Sequence, residues 1–265
     1  MLMSRWVMST KTPNVANKGH TLFDPSKSST FKLMDGASFM IRYGDGSHAA
    51  GDVGTDTVNI GGAVVKKQAV EIPTALSDSL AQDPAMNGLV GLGFQSISTV
   101  QPEKQPTFFE NVAADLADPV MTARLKSDGV GEYEFGTIDK NKYSGQMFTF
   151  PVDNSNGFWQ FDSHSFKVGD GQLQSIRKVP TAIADTGTSL LLADPDVVAA
   201  YYAQVDGAEF ENLAGGYIYP CKSVLPNLSV NAGNAMVTLH PDVLTFAMAG
   251  RNRTTGDARE WTAFT

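Results

Sequence analysis

One carboxylate in this chain stands in a setting that suits chemistry. Asp185 opens the run Asp185-Thr186-Gly187-Thr188, which follows a short alternating stretch and precedes the apolar residues Leu190, Leu191 and Leu192. A strand would deliver Asp185 to a turn, and Gly187 lets the backbone bend tightly there. Thr188 is then placed to donate its hydroxyl to the carboxylate. A carboxylate held in this way can take a proton from water or give one to a carbonyl, but it cannot do both at once. Two carboxylates that share one proton can divide the roles, because their closeness drives their pKa values apart. The tripeptide Asp-Thr-Gly occurs once in the sequence. On residue chemistry alone, a capped structural turn is favoured over catalysis.

A second stretch, IRYGDGSHAAGDVGTDTVNIGG from Ile41 to Gly62, reads as a strand, a glycine-rich tip and a returning strand. Tyr43 and Asp45 adjoin its turn. Most hairpins of this kind are structural. Elsewhere the chemical signals are sparse. His20, His48, His164 and His240 are scattered without a His-x-x-Glu-His pattern, so solvated or satisfied histidines are expected rather than a zinc site. Neither a Gly-x-Ser-x-Gly elbow nor a phosphate-binding glycine loop is present. No metal and no cofactor is expected.

The elements that must position these residues are mostly strands. The segments ASFMIRY, DTVNIGG, GEYEFGTI, GQMFTFPV and GGYIYPC alternate or run apolar between turn residues. Helical spacing predicts a helix from Phe108 to Leu116. Another should begin with Asp194 as its N-cap and Pro195 at its first position.

Bulk properties narrow the function classes. The chain has 265 residues, 42% of them hydrophobic, enough for one large domain or two lobes. A net charge of −8 gives phosphate-backbone binding little support, so no nucleic acid is expected. No apolar run approaches spanning length, and no membrane is expected. Arg5 interrupts the place where a leader would have its apolar core, so a cytoplasmic location is expected for the chain as written. The sequons at Asn227 and Asn252 would matter only in a secretory compartment. Cys221 stands alone, which fits a reducing compartment, and burial statistics favour a small buried hydrophobe over a nucleophile.

Taken together, these stretches resemble the pepsin family of aspartic endopeptidases, closest to its secreted fungal members. The resemblance runs in order through RWVMSTKTP, TLFDPSKSSTFK, IRYGDGSHAAGDVGTDTV, NGLVGLGF, TVQPEKQPTFFENVAADL, YEFGTIDKNKYSGQM, VDNSNGFWQFD, IADTGTSLLLADPDVVAAYYAQV and GGYIYPC. It implies a mainly β, bilobal, pepsin-like fold with a peptide-binding cleft. A lobe from 1 to 147 would carry the flap and a lobe from 148 to 265 would carry Asp185. By resemblance, Asp185 is a catalytic aspartate of an aspartic endopeptidase, a hydrolase. Tyr43 is the flap tyrosine, and Gly44, Asp45 and Ser47 contact substrate at the flap tip. Gly187 and Thr188 line the cleft, Trp6 hydrogen-bonds the flap tyrosine, and Thr186 grips the opposing loop.

The same resemblance marks the chain as incomplete at both ends. The family's first catalytic aspartate lies seven residues before the tryptophan matched by Trp6, which counts back to position −1. After Thr245, FAMAGRNRTTGDAREWTAFT has no counterpart, and the cysteine that should pair with Cys221 is missing. A lone Asp185 is expected to be mostly ionised near neutral pH. The expected function is therefore a peptidase homologue with weak or no proteolysis. Its partner is a peptide or protein substrate. The alternative is a non-proteolytic scaffold taking a small molecule, as in a biosynthetic pathway. Unpaired strand edges are expected to invite association.

Overall fold

The computed structural model describes residues 5–16, 18–126, 129–212, 215–251 and 258–262. Its first eight strands are β1 (Arg5–Val7), β2 (Lys32–Arg42), β3 (His48–Ile60), β4 (Ala63–Leu76), β5 (Gly88–Val90), β6 (Val100–Gln101), β7 (Met121–Arg124) and β8 (Glu132–Phe135). The next ten are β9 (Gln160–Asp162), β10 (Ser165–Val168), β11 (Gln174–Ser175), β12 (Thr181–Ile183), β13 (Glu209–Glu211), β14 (Gly216–Pro220), β15 (Leu228–Ala232), β16 (Ala235–Leu239), β17 (Thr245–Arg251) and β18 (Ala258–Thr262). Four short helices accompany them: α1 (Asp78–Ala81), α2 (Phe108–Val112), α3 (Pro195–Tyr202) and α4 (Pro241–Leu244). The architecture is mainly β, as the alternating segments require. Among the described residues no helix is long and apolar enough to cross a membrane.

Two compact units share the chain, Met1–Ser144 with Asn154–Phe158 and Gly145–Asp153 with Trp159–Thr265. The first unit is built on a six-stranded sheet in the order β5-β1-β4-β3-β2-β6. Only β1 and β4 run parallel; the other neighbours are antiparallel. β3 and β4 are long because valine, isoleucine and threonine recur along both, and branched side chains fit the pleated surface. Gly61 and Gly62 join them with φ of +60° and +94°, the two-residue turn whose twist matches the flanking strands. Trp6, Met8, Phe39, Ile41, Val53 and Leu76 form the core of this unit. β1 is only three residues long, yet it is paired on both sides, with Trp6 opposite Glu71 on β4 and Leu89 on β5.

The second unit contains the sheets β11-β10-β15-β16 and β13-β14-β18-β17 and the pair β12-β9. Its core gathers Phe166, Val168, Val197, Tyr201, Tyr219 and Leu228. α3 starts as its sequence predicts: Asp194 accepts the Asp196 amide at 2.9 Å, and Pro195 fills the first position. Its buried residues Val197, Val198, Tyr201 and Tyr202 lie on one face, and the Tyr202 ring stacks on Tyr217 at 4.1 Å.

Three expectations fail. GQMFTFPV forms no strand, and Met147, Phe148 and Val152 are exposed. Alternation makes a segment compatible with a sheet but supplies no neighbour, and Pro151 lacks a ladder donor. The helix from Phe108 ends at Val112 and tightens into a 3-10 turn over Ala113–Asp115. Pro119 follows closely and restricts the backbone before it. Cys221 is exposed rather than buried, because it occupies the turn that leaves β14 after Pro220.

Candidate active site

In the first unit, β2 and β3 pair from Arg42 opposite His48 down to Ser38 opposite Asp52, leaving residues 43–47 as the tip. The tip is closed by the Tyr43 amide donating to the Ser47 carbonyl at 2.8 Å and the Gly46 amide donating to the Tyr43 carbonyl at 3.0 Å. Gly46 has φ of +85°, a conformation that a side chain would strain. Asp45 locks the turn further by accepting both the amide of Ser47 at 2.9 Å and its hydroxyl at 2.7 Å. Gly44, Asp45 and Gly46 are exposed while Ser47 is buried, so the tip projects from a fixed root.

Two contacts hold that root. The indole Nε1 of the buried Trp6 donates to the Tyr43 hydroxyl at 2.6 Å, binding the hairpin to β1. The second contact is one that sequence reasoning missed. Ser77, at the end of β4, accepts the His48 amide on Oγ at 3.2 Å and donates its own amide to the His48 carbonyl at 3.0 Å. No local motif announces it, because Ser77 meets His48 only once β3 and β4 have paired.

The Asp45 lock has a pH signature. The hydroxyl and then the amide of Ser47 hold the Asp45 carboxyl below its usual range. A folded value depressed in this way contributes order above the unfolded carboxylate pKa, and the contribution disappears as pH falls through the lower folded value. The Ser47 amide resonance should therefore titrate with a midpoint below about 3.9, the ordinary aspartate value. A midpoint at or above that value in an amide-detected NMR titration would contradict the lock.

In the second unit, β12 pairs with β9, Ile183 opposite Gln160, and the Ala184 amide extends the ladder to the Trp159 carbonyl at 3.0 Å. The chain then turns at Asp185. The Gly187 amide donates to Asp185 Oδ1 at 2.9 Å and the Thr188 hydroxyl to Oδ2 at 2.7 Å. Asp185 is half-buried, with Thr186, Gly187 and Thr188 exposed around it. Partial burial pushes its pKa up, and the Thr188 and Gly187 donors push it down. Both donors favour the ionised form, which accepts protons and donates none, so the turn suits Asp185 to act as a base. Trp6, Tyr43, Gly44, Asp45 and Ser47 thus come together in one unit, and Asp185, Thr186, Gly187 and Thr188 in the other.

Comparison with known proteins bears on both groups. Residues 4–255 match the sequence pattern of the eukaryotic aspartyl protease family. The chain is 60% identical over 252 residues to an aspergillopepsin A-like aspartic endopeptidase of Aspergillus fumigatus, covering 95% of this chain and 59% of that protein. It is 48% identical to the aspartic protease PEP3 of Coccidioides posadasii, covering 95% of this chain and 58% of that one. With aspergillopepsin-1 of Aspergillus oryzae the identity is 43%, covering 95% of this chain and 63% of the relative. The chain therefore spans about three-fifths of the length of the relatives it matches.

Proposed function

Because the chain belongs to the eukaryotic aspartyl protease family, we propose that it supplies the flap and one catalytic carboxylate of an aspartic endopeptidase. These 265 residues on their own then hydrolyse peptides weakly or not at all. The observation that carries this reading is the Asp185 turn. Its carboxylate accepts hydrogen bonds from Gly187 and Thr188, and it belongs to the only Asp-Thr-Gly of the sequence.

Cleaving an amide by this route needs a base to activate water and an acid to protonate the carbonyl. Asp185 takes the first role. The second needs a carboxyl that remains protonated, which two carboxylates achieve by sharing one proton. By resemblance, that second aspartate lies seven residues ahead of Trp6, beyond these 265 residues. Peptide binding asks for less. Gly44 and Asp45 present main-chain and side-chain polar groups on a projecting hairpin rooted at Tyr43 and the buried Ser47, and Trp6 fixes the Tyr43 ring in place. An extended peptide can be received there in the absence of hydrolysis.

Two measurements on the purified chain test this. Incubation with denatured casein between pH 3 and 6 should release no more peptide than the Asp185→Asn variant does. A fluorescently labelled apolar peptide should bind, and Tyr43→Ala should weaken its binding about tenfold. Pepstatin-sensitive turnover that depends on Asp185 would overturn the first half of the proposal, and binding indifferent to Tyr43 the second.

A further inference from the structure

His20 has both ring nitrogens on main-chain oxygens of one segment. Nδ1 lies 2.9 Å from the Met86 carbonyl and Nε2 lies 3.1 Å from the Ala81 carbonyl. A carbonyl oxygen only accepts. A neutral imidazole has one N–H, so it serves one of these oxygens and turns a lone pair toward the other. The imidazolium has two N–H groups and serves both. Ala81 ends α1, and the last carbonyls of a helix have no donor within it. The geometry therefore favours the cation. Of the ionisable groups on the segments in contact, Asp78 and Asp83 add to that preference and Lys18 opposes it. One oxygen of Asp83 accepts the Ala85 amide at 3.0 Å. Among the described residues no ion pair joins His20 to a carboxylate, so the two carbonyls are its partners.

From the ring, a run of hydrogen bonds leads to the flap root. The Ala81 amide donates to the Ser77 carbonyl at 3.1 Å, and Ser77 exchanges two bonds with the main chain of His48. α1 is thus held at its end by His20 and holds the start of β3 at its beginning. The Thr21 amide, next to His20, donates to Asn87 Oδ1 at 2.7 Å and keeps the two segments in register.

We propose that His20 is a positioning residue for the flap: as the imidazolium it pins α1, and through Ser77 the hairpin root, and loss of its second proton loosens that root. Imidazoles ordinarily give up this proton near pH 6.5, so the clamp is closed in acid and opens toward neutrality. The sign follows from linkage, since a contact that needs a bound proton stabilises at low pH and is lost as pH rises. The effect on peptide binding rests on reading residues 43–47 as a flap; the clamp does not.

Nuclear magnetic resonance of the whole chain, labelled with nitrogen-15, tests it. At pH 5 both ring N–H protons of His20 should be visible, sheltered from exchange by the two carbonyls, and absent from His20→Gln. Hydrogen exchange at the Ser77 and Ala81 amides, corrected for the intrinsic effect of pH, should be about tenfold faster at pH 8 than at pH 5. In His20→Gln the corrected rates should be equal at the two pH values. His48 is present in both proteins, so the difference belongs to His20. The labelled apolar peptide should bind about fivefold more weakly at pH 8 than at pH 5, and His20→Gln should lose that difference. A His20 ring N–H missing at pH 5, or the same pH dependence of exchange in His20→Gln, would refute the clamp. Exchange that follows pH while peptide binding does not would refute the positioning role. Absence of peptide binding at both pH values would instead count against the flap reading, with the clamp judged by exchange alone.

Discussion

Extending the chain so that a second Asp-Thr-Gly lies seven residues ahead of Trp6 should switch on acid proteolysis, about 1000-fold or more above the 265-residue chain. A positioned acid or base contributes roughly 10²- to 10⁴-fold, and neither member of a shared-proton pair works without the other. Asp185 already has its turn and its two donors. What the extension adds is the protonated partner. In the extended chain Asp185→Asn should remove the gained activity, because an amide neither accepts the water proton nor shares one. The fold should survive that substitution, since asparagine keeps an acceptor for the Gly187 amide. Casein turnover, followed with far-UV circular dichroism as the folding control, checks both arms. An extended chain no faster than the parent, or one indifferent to Asp185→Asn, would sink the two-carboxylate reading.

Gly51→Ala should destabilise the first unit by about 3 kcal/mol or more. Gly51 sits on β3 opposite Pro73 of β4, next to a register shift. A Cβ there would lie 2.1 Å from the Ile72 carbonyl oxygen and 2.6 Å from the Thr74 amide nitrogen. Both are backbone atoms in the middle of the sheet, and neither can move without breaking the ladder that carries the hairpin. The thermal transition of this unit should fall by roughly 10 °C. Gly44→Ala is the control. A Cβ at Gly44 meets nothing within 4 Å, so its stability should change by less than about 0.5 kcal/mol. Thermal melts of the two variants that coincide would show that the close approach at Gly51 is not what limits β3–β4 pairing.

How much of this was legible in the sequence depended on how far apart the interacting residues lie. The Asp185 turn was expected from residue types, and its hydrogen bonds reach two and three residues along the chain. The Asp194 cap and Pro195 were equally readable, as was the hairpin with its glycine-rich tip. The Trp6–Tyr43 bond was expected only through family resemblance, because nothing in the spacing of two residues 37 apart announces it. The strand expected over GQMFTFPV is the converse. Its alternation is real, but no neighbouring strand pairs along it.

Neighbouring residues alone set the local geometry: where turns bend, where α3 begins, and which carboxylate is held by its own loop. These interactions close within a few residues, so side-chain chemistry and backbone preference settle them before any sheet exists. The tertiary structure decided what lies against what. It made Arg5, whose charge alone suggests the surface, a buried cation, by setting it in a three-residue strand between β4 and β5 beside Glu71. It also exposed Cys221, whose type suggests the interior. Burial belongs to the assembled sheet rather than to the residue, because it depends on which distant strands bring their side chains alongside.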